Sequence, residues 1–336
     1  MEYRVLGKSG LNVSVIGFGG IPVQRISVEE SKKVILKAEE LGVNFIDSAR
    51  GYSVSEEFIG EALESRRDKW ILASKSMARD KASMAKDIDI SLKNFKTDYI
   101  DLYQLHNIKT KEELDKVLSE DGAYAALLEA KECGKIGHIG ITSHSLDLLK
   151  IAIEMDKFET IMYPYNIVEN QAEELFIRAK ELNIGVIVMK PMAGGAIEDG
   201  TLALRYILQN KAVTTAIPGM AEVKEVEENT SAANEISPLT AEEKEKANVI
   251  IKELGNMFCR RCGYCAPCPQ NIDIPSMFLF SGYKERYNLS KWSEDRYFSQ
   301  KARAKDCVEC GVCETRCPYD LPIRSMLKKV RKTFNE

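Results

Sequence analysis

Eight of the nine cysteines lie in the last quarter of the 336-residue chain, in two runs that each end in Cys-Pro. The first run is Cys259, Cys262, Cys265 and Cys268, followed by Pro269; the second is Cys307, Cys310, Cys313 and Cys317, followed by Pro318. Cysteines at every third position of a tight loop bring three thiolates onto one iron–sulfur cubane, and the Cys before Pro commonly serves a neighbouring cluster. Eight thiolates are what two 4Fe-4S clusters need. The Cys-Pro ends predict crossed ligand sets: Cys259, Cys262 and Cys265 with Cys317, and Cys307, Cys310 and Cys313 with Cys268.

Disulfides and zinc are the competing uses of such cysteines. Disulfides need an oxidising compartment, and Met1-Glu2-Tyr3-Arg4 starts no basic-then-apolar export signal, so a cytoplasmic protein is expected. Structural zinc favours Cys-x2-Cys pairs separated by a longer loop, often with His, and no His follows His144. Zinc stays open as the alternative, because the last spacing of the first run departs from the iron–sulfur pattern. Cys133, alone before Gly134, reads as an inert buried thiol.

A second constellation lies far upstream. Asp47, Tyr52, Lys75 and His106 are ionisable residues near the ends of three short β-branched runs. Together they suit carbonyl reduction. A tyrosine can donate the proton that turns a carbonyl oxygen into an alcohol, but its ordinary pKa near 10 is too high for ready exchange at neutral pH. A lysine cation beside it favours the phenolate, and an aspartate holds that lysine charged and in place. A histidine orients the carbonyl and stabilises the developing alkoxide. No side chain supplies a hydride, so a nicotinamide cofactor is required.

Four residues so far apart in sequence need a scaffold that brings strand ends together. After a hairpin (Tyr3 to Val15), eight runs read as strands: Val15–Phe18, Asn44–Asp47, Trp70–Ala73, Ile100–Tyr103, Ile139–Thr142, Thr160–Tyr163, Val186–Met189 and Val213–Ala216. Helical patterns lie between them, such as Ser27 to Leu41 with Val34, Ile35, Ala38 and Leu41 on one face and Gly42 as a stop. Strands alternating with helices mean right-handed βαβ units and a parallel sheet. Eight such units predict an α/β chain folded as a (β/α)8 TIM barrel, whose catalytic groups sit at the C-terminal ends of the strands. No G-x-G-x-x-G follows the first strand, which counts against a Rossmann domain. Thr240-Ala241-Glu242-Glu243 begins a capped helix towards Leu254. The expected division is therefore 1–254, the barrel, and 255–336, a small, mainly helical, ferredoxin-like dicluster domain.

Composition agrees with a soluble globular chain: 44% hydrophobic, 29% charged, net charge -4. The charge argues against a general nucleic-acid surface, and no 18-residue apolar run suggests a membrane span. The basic run Lys328 to Lys332 reads as a solvated helix end.

The segments Gly42-Val43-Asn44-Phe45-Ile46-Asp47-Ser48-Ala49-Arg50-Gly51-Tyr52, Ser55 to Gly60, Asp101 to His106, Gly134 to Gly140, and Ile217-Pro218-Gly219 with Glu228-Asn229 resemble the aldo/keto reductases. The cysteine domain resembles the dicluster extension of some bacterial and archaeal members. The resemblance covers about residues 1 to 235. It implies a TIM barrel binding NADP or NAD at its mouth, with Asp47, Tyr52, Lys75 and His106 as the catalytic tetrad. It further implies cofactor contacts at Gly20, Thr142, Ser143, Met189, Pro191, Met192, Gly194, Gly219, Glu228 and Asn229. Here the chain departs from the family. Thr142-Ser143 stands for the usual Ser-Asn carboxamide pair, Met162 for a Gln, and Met189 for the Tyr that stacks on nicotinamide. Ala221 replaces a basic residue found in many NADPH-preferring members, with Lys224 the nearest substitute.

The activity expected from this resemblance is interconversion of a small carbonyl and its alcohol. The alternative is a nucleotide-binding redox sensor or electron-transfer adaptor without carbonyl turnover. A hydride carries two electrons whereas a cubane takes one, and no flavin motif is visible. The clusters thus read as electron transfer, redox control or a staple for a domain with little core. An electron-carrier protein is the macromolecular partner this chemistry suggests.

Overall fold

A computed structural model describes residues 1–234 and 236–336. Ten strands occur among the described residues: β1 (Tyr3–Val5), β2 (Asn12–Ser14), β3 (Phe18–Gly19), β4 (Phe45–Asp47), β5 (Ile71–Ser76), β6 (Ile100–Leu105), β7 (Ile136–Thr142), β8 (Thr160–Pro164), β9 (Gly185–Met189) and β10 (Thr215–Ala216). Nine α-helices accompany them: α1 (Val28–Glu40), α2 (Ser55–Leu63), α3 (Lys81–Asn94), α4 (Lys111–Leu118), α5 (Ala123–Glu132), α6 (Leu146–Ile153), α7 (Glu173–Glu181), α8 (Gly200–Leu208) and α9 (Val223–Ser231).

Strands β3 to β10 form one parallel eight-stranded sheet in sequence order. Parallel bridges Ile16↔Ala216 and Gly19↔Gly219 join its first and last strands, so the sheet curls into the TIM barrel. The antiparallel hairpin β1–β2 contributes Leu6 and Val13 to an apolar cluster with Phe45, Ala73, Leu102, Met162, Ile187 and Ile217. A larger apolar layer lies between strands and helices. Helix α1 shows how the pattern works. Ser27 Oγ accepts the Glu30 N–H at 3.2 Å and the Glu30 carboxylate accepts the Ser27 N–H at 2.9 Å, a capping box that starts the helix. Val34, Ile35 and Ala38 turn inward, and burying each of the two larger side chains contributes about 1.5–3 kcal/mol. Gly42, at φ 85, ends the element in a conformation that penalises any other residue.

Strand ends differ from the expected runs in an informative way. β5 continues beyond Ala73 through Ser74, Lys75 and Ser76, and β6 beyond Tyr103 through Gln104 and Leu105. Apart from Leu105 these extra residues are buried polar or charged ones, which an apolar-run reading cuts off, yet they are where a barrel carries its chemistry. β3 and β10 are two residues each, and after β10 Pro218 has no N–H to extend the ladder.

Contact clustering divides the chain into two units. The first comprises Met1–Asn166, Asn170–Met192 and Asp199–Leu239; the second comprises Ile167–Glu169, Ala193–Glu198 and Thr240–Glu336. The second unit is helical: α10 (Ala241–Leu254), α11 (Ile274–Glu285), α12 (Ser290–Phe298), α13 (Val312–Thr315) and α14 (Ile323–Thr333). Its core gathers Ile274, Met277, Tyr297, Ile323, Leu327 and Phe334 with Cys265 and Cys313. The Tyr297 and Phe334 rings stack at 3.8 Å. Helix α14 turns Ile323, Met326, Leu327 and Val330 inward and leaves Lys328, Lys329 and Lys332 exposed. Among the described residues no helix is long and apolar enough to cross a membrane.

Candidate active site and cluster cavities

Three adjacent strands deliver the barrel's ionisable group. Asp47 ends β4, Lys75 sits near the end of β5 opposite Gln104 of β6, and His106 follows β6, its N–H donating to the Ser76 carbonyl at 2.9 Å. The Lys75 ammonium is buried. It donates to an Asp47 carboxylate oxygen and, at 2.7 Å, to the Ser48 carbonyl. Tyr52, on the loop after β4, places its ring 4.9 Å from Lys75 Nζ, and meets the His106 ring edge-on with centroids 6.1 Å apart. The structure thus brings Asp47, Tyr52, Lys75 and His106 together.

Burial governs the electrostatics. It pushes the Asp47 carboxyl up from its ordinary range, against the Lys75 cation and the hydrogen bonds from Lys75 and Gln104. His106 is held well below 6.5, first by burial and then by the cations of Lys75, Arg79 and Lys190. Its imidazole is therefore neutral at pH 7 and keeps one N–H to donate.

Two supporting groups escaped the sequence reading. Gln104, fully buried, donates through Nε2 to the second Asp47 oxygen at 3.0 Å. Glu56, also fully buried, accepts from Ser74 Oγ at 2.6 Å, Ser91 Oγ at 2.8 Å and Asn94 Nδ2 at 3.1 Å, and pairs with Arg50. One carboxylate thereby ties the Tyr52 loop to β5 and α3. Gln104 stands two residues before His106, on the same strand face, and that alternation was the available signal.

The positions expected to hold a nucleotide occupy the ends of other strands. Gly20 follows β3, where a Cβ would lie 2.9 Å from the Asp47 carbonyl oxygen; at Gly219, after β10, it would lie 2.7 Å from Pro22 Cγ. Close backbone approach requires glycine at both. Thr142 ends β7, and its Oγ1 accepts the Asn107 N–H at 2.7 Å, leaving its own proton to donate. The Ser143 hydroxyl instead donates to the Ile108 carbonyl at 2.6 Å and accepts the Ser145 N–H at 2.9 Å. Met189 ends β9, partly buried against the inner cluster that contains Met162, and Pro191 and Met192 follow it. Glu228 and Asn229 lie on α9: Asn229 is buried, whereas Glu228 is exposed and pairs with Lys224 at 3.5 Å. Gly194, at φ 67, falls in the second unit, where its carbonyl accepts from Arg286 Nε at 2.9 Å.

Within the second unit the cysteines line two cavities. Cys259, Cys262, Cys265 and Cys317 surround one of about 320 Å³, with Tyr319 and Ile323. Cys268, Cys307, Cys310 and Cys313 surround the other, of about 330 Å³, with Arg324 and Leu327. Residues in left-handed conformations shape the loops: Arg261 (φ 58), Gly263 (φ 85), Glu309 (φ 56) and Gly311 (φ 79). The Arg261 N–H points at Cys259 Sγ at 3.4 Å, and its guanidinium makes two bonds to Glu169, at 2.8 and 3.0 Å. Burial pushes the Cys259 thiol up to about 11 and the Cys265 thiol to about 12, so iron must displace their protons on binding.

Comparison with known proteins places both halves. The aldo/keto reductase family model matches residues 15–201, and the 4Fe-4S dicluster domain model matches residues 258–322. L-galactose dehydrogenase of Arabidopsis thaliana is 28% identical over 311 residues, covering 76% of this chain and 96% of its own length. The uncharacterized oxidoreductase YqkF of Bacillus subtilis is 28% identical over 70% of this chain and 92% of its own. Among solved structures, the holo form of aldo-keto reductase AKR11C1 from Bacillus halodurans superimposes with a TM-score of 0.64 at 29% identity, covering 74% of this chain and 96% of its own.

Proposed function

The chain belongs to the aldo/keto reductase family and carries a 4Fe-4S dicluster domain, and we propose that it interconverts a small aldehyde or ketone and its alcohol. The observation that carries this reading is the buried Lys75 ammonium, held by Asp47 and set 4.9 Å from the Tyr52 ring. Tyr52 is the proton donor to the carbonyl oxygen. Lys75 lowers the cost of its phenolate, and Asp47, braced by Gln104, keeps Lys75 charged and aimed. His106, neutral, donates a hydrogen bond to the same oxygen and fixes its orientation. NADP or NAD supplies the hydride when bound. Thr142, Met189, Pro191, Met192, Gly20 and Gly219 are the residues that would hold it, at the ends of strands β3, β7, β9 and β10.

The two four-cysteine rings fit 4Fe-4S groups with crossed ligand sets, Cys259, Cys262, Cys265 and Cys317 in one and Cys268, Cys307, Cys310 and Cys313 in the other. Their chemistry is one-electron transfer, which serves redox control or exchange with an electron-carrier protein. Anaerobically reconstituted protein, screened with aldehydes, ketones and alcohols by nicotinamide absorbance, tests the reading. Turnover that disappears in Tyr52→Phe supports it. Turnover indifferent to that change, or nucleotide binding with no turnover at all, favours a sensor or adaptor instead.

A further inference from the structure

Between β5 and α3, Arg79 reaches across to the end of the neighbouring strand. Its Nη2 donates to the carbonyl oxygens of His106 and Asn107, each at 3.0 Å, and lies 3.5 Å from the Glu113 carboxylate of α4. Its Nη1 donates to the Met77 carbonyl of its own loop at 3.1 Å. Glu113 is fixed in turn: its carboxylate accepts the Lys109 N–H at 3.0 Å, and its own N–H donates to Thr110 Oγ1 at 3.2 Å. The segment that Arg79 grips is not a relaxed one. Asn107 has φ 54, a left-handed conformation that costs a non-glycine residue energy and persists where neighbours over-determine it. Three elements do so here. The Asn107 N–H donates to Thr142 of β7, its Oδ1 lies 3.0 Å from His144 Nδ1, and its carbonyl is held by Arg79.

We propose that Arg79 is a positioning residue for His106: its guanidinium fork fixes both carbonyls of the His106–Asn107 turn and so sets where the imidazole meets a substrate's carbonyl oxygen. The proposal rests on the reductase reading above. The planar guanidinium fork matters: both bonds leave Nη2, whose two N–H directions are fixed by the plane, whereas a lysine's ammonium turns freely on a flexible stem. Arg79 also acts on the ring by charge, with Lys75 and Lys190, against protonation of His106. The other groups around the ring are Tyr52 at its edge, Asp47 behind Lys75, Glu113 behind Arg79, and His144 across Asn107.

Only three histidines occur in the chain, so imidazole NMR signals can be assigned with single His→Gln variants. In Arg79→Met, the His106 pKa should rise, as loss of a nearby cation dictates. In the same variant kcat should fall by at least about tenfold, with KM for the nucleotide within about twofold of wild type. Arg79→Lys, which keeps the charge and loses the fork, should hold the His106 pKa near wild type while kcat still falls. Glu113→Gln should give a smaller loss of kcat in the same direction. An unchanged His106 pKa together with a kcat within about twofold of wild type in Arg79→Met overturns the proposal. Should that variant not fold, unchanged kcat in Arg79→Lys overturns it. If the wild-type protein reduces no carbonyl, the reductase reading has failed on its own, and the NMR titrations still decide whether Arg79 governs His106.

Discussion

Replacing Lys75 with methionine removes the cation that lies over the Tyr52 ring while keeping most of the side chain's volume. Lys75 Nζ lies 4.9 Å from the Tyr52 ring centroid. For two unit charges about 5 Å apart, the order of separation here for a phenolate whose charge spreads over ring and oxygen, an effective dielectric near 20 gives an attraction of about 3 kcal/mol. That is a factor of somewhat over a hundred in rate when the phenolic proton moves in the transition state. The variant also leaves a buried carboxylate unpaired, for which about 3–5 kcal/mol of stability is the usual loss. Asp47 offers an escape: burial already pushes its carboxyl up, and one proton neutralises it while Gln104 still donates to its other oxygen. Adding Asp47→Asn to Lys75→Met should therefore restore much of the melting temperature and none of the activity. The assay is anaerobic steady-state reduction of a carbonyl from about pH 6 to about pH 10, with the alkaline limb read as the tyrosine's. A Lys75→Met protein that melts normally and keeps kcat within about tenfold of wild type refutes the role given to Lys75.

Tyr52→Phe should abolish hydride transfer and leave nucleotide affinity within about twofold, measured by fluorescence titration, since only the proton donor is lost. Reconstituted wild-type protein should be brown and hold about eight irons, and Cys317→Ser should lose the cluster of the first run rather than the second, as EPR of each variant would reveal. The reverse assignment in Cys317→Ser means that each run closes on its own group. His106 has a folded-state pKa well below its unfolded value of 6.5. The stability contributed by its neutral form is full above that value and lost as pH falls below it, because the unfolded chain takes up the proton first. Wild-type melting temperature should accordingly drop more steeply between about pH 7 and about pH 5 than that of His106→Gln, and parallel curves contradict the shift.

The barrel and the convergence of Asp47, Tyr52, Lys75 and His106 were legible because each rests on a local pattern. Helix α1 announces itself by Ser27, Glu30 and an apolar stripe, and Asp47, Lys75 and His106 each stand where a β-branched run gives way to polar residues. Gln104 and Glu56 were not legible, for one physical reason. Both are polar side chains whose partners lie on other elements, and a buried carboxylate on α2 looks like any surface glutamate until Ser74, Ser91 and Asn94 arrive from elsewhere. The same applies to Arg79, which in sequence is a charged loop residue before a helix cap. The expected nucleotide contacts are harder still to read, since Thr142, Ser143 and Met189 depart from the family pattern, and the bonds of Ser143 to Ile108 and Ser145 rather than its residue type decide what it is free to do.

Each cavity of the second unit draws its cysteines from both runs, and this sets an order of assembly. A ribosome that has released the first run has made three walls of one cavity and a single wall of the other. The first cannot be finished until Cys317 has emerged, nor the second until Cys313 has. Neither cavity can therefore hold its group on the first run alone, and a nonsense mutation anywhere upstream of Cys317 leaves at least one cavity without its full set of cysteines.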